Sequence, residues 1–217
     1  MAKNKNLTDN DLIKMYIDYI LKHDEKPVSI YLFAKQNNFE EAVFYKHYAN
    51  FNTLEQRIFK SFIEQTIELL GKSEDYINYD ARNKLLSFYF TFFELLTANR
   101  SYVAYTLNNN SKIKIIKLFT TFKKVFKDYI GTLEIERIDI PQKQLVCLQH
   151  TCLKEGAWIQ LMLTLKFWLD DTSPSFEKTD MFIEKSINTS FDIINIQPLK
   201  SFIDFGKFIF KEKIMTT

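Results

Sequence analysis

Glycine and proline are scarce: the 217-residue chain holds four of each. Sheet-rich folds need many tight turns, which these residues supply. Their scarcity weighs against sandwiches and barrels and favours long helices joined by short polar loops. Cysteine is scarcer still. Cys147 and Cys152, five apart in a stretch that reads as helix, make neither a disulfide framework nor a zinc site. The three histidines, His23, His47 and His150, lie far apart with no companion at metal-ligand spacing. Nowhere do about 18 apolar residues run together, so no segment reads as membrane-spanning. The first ten residues lack the apolar core of a secretory signal, and a cytoplasmic protein is expected. There is no nucleophile elbow, no phosphate-binding loop and no carboxylate pair spaced for acid–base work. An enzyme is therefore not expected, nor a metal or other cofactor.

What remains is a globular composition, with 46% hydrophobic and 26% charged residues and a formal charge of +2. The length suffices to bury a core as one large domain or two small ones. Phe at 21 and Tyr at 11 stand out. They read either as a compositional bias or as the lining of a cavity for small apolar molecules.

The helical signals are explicit. Thr8 followed by Asp11 forms a capping box, with Leu7 and Leu12 as the hydrophobic staple around it. Leu12, Ile13, Tyr16, Ile17, Ile20 and Leu21 then recur at helical period until the polar run before Pro27. Ser29 caps a short second helix through Phe33 and Ala34. Asn37 and Asn38 end it, because asparagine tolerates the left-handed backbone of a tight turn. A third short helix is expected over about 39–48. A fourth is expected from near Asn52, with Glu55 completing its capping box, through Leu54, Ile58, Phe62 and Leu70. Apolar-striped helices are expected over 80–99, 101–107, 111–130 and 142–169. Two more follow, from Ser173 and Pro174 through Ile194 and from Pro198 onward. The fold class is all-α.

Three short helices, a tight turn and a long connecting helix are the parts of a DNA-reading unit. The segment 28–54, VSIYLFAKQNNFEEAVFYKHYANFNTL, resembles the helix-turn-helix of the tetracycline-repressor (TetR) family. Ser29, Phe33-Ala34, Asn38-Phe39, Phe44-Tyr45-Lys46-His47-Tyr48 and Leu54 stand at the places of its motif. The resemblance implies a helix-turn-helix domain over 1–52 and a fourth-helix connector over about 53–71. An all-helical ligand-binding and dimerisation domain then covers 72–217. It also puts Ser29, Glu41, Ala42, Val43, Tyr45, Lys46 and His47 on DNA. In the residues' own terms, Phe39, Phe44 and Tyr48 anchor the third helix inward and leave Glu40, Glu41, Ala42, Val43 and Lys46 outward. Tyr45, Lys46 and His47 suit phosphate oxygens, while Glu41 and Ala42 suit a cytosine amino group and a thymine methyl.

Three features depart from the family pattern. Phe51 stands where a lysine opens the fourth helix. Glu40 and Glu41 put two acids at the front of the recognition helix. Residues 1–60 carry nine Lys/Arg against eight Asp/Glu, where phosphate binding favours an excess of cations.

The resemblance further implies that 142–169 and 175–196 are dimer helices. Phe92, Tyr102, Tyr105, Phe122, Trp158 and Met162 are the candidate lining of a cavity for a small apolar or aromatic ligand, and each also reads as plain core. The expected protein is a ligand-responsive, homodimeric repressor on a palindromic operator. The alternative is a TetR-like fold kept as a lipid- or isoprenoid-binding accessory protein with weak or lost DNA binding. Lys112, Lys114, Lys117, Lys123, Lys124 and Lys127 flank the apolar stripe of 111–130. That stretch reads as a solvated helix face or as a basic amphipathic surface for an anionic membrane.

Overall fold

The structure, a computed structural model, describes residues 7–135 and 143–195, and side chains for 7–135 and 151–193. Among the described residues the chain is helical without a strand. Four helices come first: α1 (Asp9–His23), α2 (Ile30–Gln36), α3 (Glu41–His47) and α4 (Phe51–Gly71). α5 (Glu74–Asn78), α6 (Ala81–Ala98), α7 (Arg100–Asn108), α8 (Lys112–Leu118) and α9 (Thr120–Thr132) follow. α10 (Lys143–Asp170) and α11 (Glu177–Asn195) complete the set. The helix expected from Pro198 lies outside the described residues.

Local chemistry accounts for most of the helix starts. The Thr8 hydroxyl accepts from the Asp11 amide at 3.2 Å, and the Asp11 carboxylate accepts from the Thr8 amide at 2.9 Å. The Ser29 hydroxyl accepts the Leu32 amide at 3.2 Å. Each satisfies donors that the first helical turn leaves without an intrahelical partner.

Three starts differ from expectation, one of them α11, which begins at Glu177 after a separate 3-10 turn over Pro174–Phe176 and not at Pro174. At α4 the cap is Asn50 with Thr53, not Asn52 with Glu55: Asn50 Oδ1 accepts the Thr53 amide at 3.0 Å and Thr53 Oγ1 accepts the Asn50 amide at 3.2 Å. Glu55, relieved of capping, turns inward and is 4% exposed. The single helix expected over 111–130 is two, broken at Phe119 (φ −87°, ψ 4°). The break lets Leu118 and Phe119 both enter the core, followed by Phe122 and Phe126. α5 was not expected. It is a short, polar helix capped by Ser73, too short to show an apolar period.

The chain forms two compact units. The first comprises the described residues up to Lys72 together with Thr91–Asp128, and the second Ser73–Phe90 with the described residues from Tyr129 onward. The division falls inside α6 and inside α9. Tyr16, Phe33, Phe44, Ile58, Tyr102 and Phe126 are fully buried in the first unit, and Phe88, Tyr89, Leu161, Trp168, Ile183 and Ile187 in the second. In the second, Phe88 stacks on Tyr129 at 4.5 Å, and the Tyr129 hydroxyl donates to the Lys84 carbonyl at 3.2 Å. Burying each such side chain contributes about 1.5–3 kcal/mol, so the aromatic load works first as core.

Candidate nucleic-acid interface

A short turn sets α2 against α3. Asn37 donates its side-chain amide to the Phe33 carbonyl at 2.8 Å, and the Phe39 amide reaches back to the Ala34 carbonyl at 3.0 Å. Between them Asn38 takes a left-handed φ of 57°, which asparagine resists least among residues with a Cβ. Rings lock the turn from inside. Phe33 meets Phe39, Phe44 and Phe51 edge-on, with centroids 5.8, 6.3 and 5.7 Å away, and Phe51 stacks on Tyr16 at 5.3 Å. Such contacts add about 0.5–1.5 kcal/mol each beyond the area they bury. Phe51 therefore has a structural role: its ring joins α4 to α1, α2 and α3.

Polar ties fix the far end of α3. The Tyr48 hydroxyl donates to Asp9, Asp9 pairs with Arg57 at 3.1 Å, and Arg57 reaches Glu64 at 2.6 Å. A deeper tie lies beneath. Glu55 Oε1 accepts from the Tyr16 hydroxyl and from the Lys26 ammonium, both at 2.6 Å. Burial, then the Glu55 charge, pushes the Tyr16 phenol far above its ordinary range. Burial and then the same carboxylate raise Tyr102, while Tyr105 is raised by burial, Asp24 and Glu55. Lys26 also reaches the Asn110 side chain at 3.5 Å. The cluster connects α1, α4 and the segments after α1 and α7. Sequence reading missed it, because Tyr16 and Glu55 stand 39 positions apart and no spacing rule links them.

With its inner face engaged, α3 leaves Ala42, Tyr45, Lys46 and His47 exposed. Glu41 is half-buried and accepts from the Tyr45 hydroxyl at 3.3 Å. Desolvation, then the Glu41 charge, holds the Tyr45 phenol above its ordinary value, so it stays a neutral donor. Val43 corrects the expectation: it is buried, not outward. It lies beside the fully buried Phe44, on the edge of α3 that faces the core. Ser29 is half-buried, with its hydroxyl engaged in capping α2. Glu40 caps α3 with its backbone, and Glu41 occupies the first turn. Lys46 and His47 occupy the last turn. Acids at the start and the Lys46 charge at the end complement the helix dipole, so the two glutamates have a structural reason.

In the second unit, Asp171 shapes the corner between α10 and α11. Its carboxylate accepts from the Ser173 amide at 2.8 Å and hydroxyl at 2.7 Å, and from the Thr179 amide at 2.9 Å and hydroxyl at 2.7 Å. Beyond the corner α10 buries Leu161, Leu165 and Trp168, and α11 buries Ile183 and Ile187. Ile159, Leu163 and Met181 remain exposed. Together with Phe167 and Phe182, whose rings stack at 4.6 Å, they line an open groove of about 770 Å³.

A family model described as a tetracyclin repressor-like C-terminal domain matches residues 84–209, more than half of the chain. The chain belongs to the tetracycline-repressor family. No curated protein matches it. As a TetR-family regulator it carries α10, α11 and their groove inside the matched region. The six residues expected in a TetR-family ligand cavity fall in both units. Phe92 and Phe122 meet at 5.6 Å in the first, where Tyr102 lies against Phe59 at 6.4 Å and Tyr105 is half-buried. Trp158 and Met162 are half-buried on α10 in the second, and neither lines the groove. No helix among the described residues is long and apolar enough to cross a membrane.

Proposed function

We propose that this regulator is a cytoplasmic, ligand-responsive homodimer that represses transcription from a palindromic operator. The observation that carries the reading is α3: its inner face is committed to the core while Ala42, Tyr45, Lys46 and His47 stay on the surface. Tyr45, Lys46 and His47 then hold phosphates, with Ser29 near the backbone at the start of α2. Ala42 and Glu41 meet base edges, and Val43 supports them from beneath. On this reading residues 1–52 read DNA, 53–71 connect, and 72–217 bind ligand and dimerise.

The groove on α10 and α11 supports self-association. A second copy related by a two-fold axis would cover Ile159, Leu163 and Met181 with their counterparts. A small apolar or aromatic effector releases DNA only by binding the non-DNA state more tightly.

Selection of genomic fragments at low salt tests this reading. The protein should enrich a palindrome whose half-sites lie about 34–36 Å apart, one turn of DNA. Its affinity should fall with salt as several phosphate contacts require. Lys46→Ala should weaken binding evenly across sequences and lower the salt slope by about one, whereas Ala42→Ser should shift sequence preference. Retention of no fragment above random DNA refutes the proposal. A lipid carried through purification and seen by native mass spectrometry would then favour the accessory-protein reading.

A further inference from the structure

α8 has two apolar faces where the fold uses one. Leu118 is buried and Ile115 half-buried, and the Gln56 side chain of α4 holds the helix by donating to the Lys117 carbonyl at 2.9 Å. Ile113 and Ile116 face the other way and are 68% and 71% exposed. Three positions apart, they are neighbours on one face. Lys112 lies one turn before Ile116 and Lys117 one turn after Ile113, so ammonium groups border the pair on both sides. Lys114 extends the basic edge, and Lys124 of α9 is exposed as well. Among the described residues, Lys112, Lys114, Lys117 and Lys124 make no ion pair. No acid occurs anywhere from Ser111 to Lys127.

A single exposed hydrophobe needs no explanation. Two on one face, bordered by cations that no acid neutralises, match the cross-section of an interfacial helix. Apolar side chains enter the acyl boundary while lysine stems carry their charges up to the headgroups. Both halves of the pattern constrain the occupant. The lysines require it to be anionic, and the isoleucines require an apolar phase just below the charge. Nucleic acid meets the first condition and not the second. We propose that the outward face of α8 docks this protein peripherally on an anionic lipid bilayer, whether or not α3 reads DNA.

Cosedimentation of the full chain with vesicles tests the assignment. Phosphatidylglycerol-rich vesicles should hold about tenfold or more of the amount held by pure phosphatidylcholine, and added salt should release it as screening shortens the reach of the lysines. Two variants should each abolish most of this binding: Ile113→Ser with Ile116→Ser, and Lys112→Gln with Lys114→Gln and Lys117→Gln. All five side chains are exposed, so circular dichroism and the unfolding midpoint should stay as in the parent. Equal binding to both vesicle types, no binding at low salt, or binding that survives both variants overturns the proposal. Capture by soluble polyglutamate without capture by vesicles also overturns it, and assigns the face to an acidic protein.

Discussion

Replacing Glu55 with alanine tests the buried tie under the helix-turn-helix. The Tyr16 hydroxyl, in a residue with no exposed surface, would lose its acceptor, and stranding a buried donor costs about 1–3 kcal/mol. Lys26 suffers less. Its side chain is 32% exposed, so the ammonium can turn to water, and a partly exposed pair is worth about 0.2–1 kcal/mol. The missing side-chain carbons leave a small void worth about 1 kcal/mol more. Glu55→Ala should therefore cost about 3–4 kcal/mol, a large share of the 5–15 kcal/mol typical of a domain. Urea unfolding is the assay, with protomer concentration held constant because self-association would shift the midpoint. The midpoint should fall while the slope stays the same. Combining Glu55→Ala with Tyr16→Phe should recover about 1.5–3 kcal/mol of coupling, as expected for a hydrogen bond to a charged group. A loss below about 1 kcal/mol for Glu55→Ala, or coupling within about 0.5 kcal/mol of zero, would refute the reasoning.

Other perturbations read other parts of the molecule. Asn38→Val should cost about 1–2 kcal/mol by chemical denaturation, because φ is 57° there, whereas Asn38→Gly should be close to neutral; equal losses would contradict the turn argument. Ile159→Glu with Leu163→Glu, on the exposed groove of α10, should yield monomers in analytical ultracentrifugation and leave helicity intact; an unchanged sedimentation coefficient would speak against dimerisation there. Burial pushes the Asp171 carboxyl up, but hydrogen bonds from Ser173 and Thr179 outweigh it and hold the group well below the usual range. A depressed folded value stabilises fully above the unfolded value of about 3.9 and loses that stabilisation as pH falls toward the folded value. Asp171→Asn should flatten the acid limb of a stability-versus-pH curve, and a limb as steep as the parent's would exclude this role. Gly71→Ala, at the end of α4 where a methyl group would meet only open space, should stabilise by about 0.5–1 kcal/mol, visible as a higher Tm.

Much of the helical layout was legible in the chain because its causes are local. A hydroxyl three residues from an amide, as at Thr8 and Ser29, meets it whatever the rest of the molecule does. Asn38 was legible as a turn for the same reason. Where a local rule offered two solutions, packing chose. Asn50 took the cap of α4 because Glu55 had a better place against Tyr16 and Lys26. α8 and α9 parted at Phe119 because a straight helix would not turn every ring of that segment inward.

Helix α3 shows both influences. Phe39, Phe44 and Tyr48 announced its buried side by spacing alone. The burial of Val43, the ring stack of Phe51 on Tyr16 and the Glu55 tie are contacts between residues that no period connects. By itself, then, the sequence determined an all-α chain with a helix-turn-helix at its start, since caps, turns and apolar stripes act within a few residues. Only the tertiary structure decided which carboxylate is buried, which isoleucines are left facing out, and which face of α3 is free, because those outcomes depend on what the chain brings together from far apart.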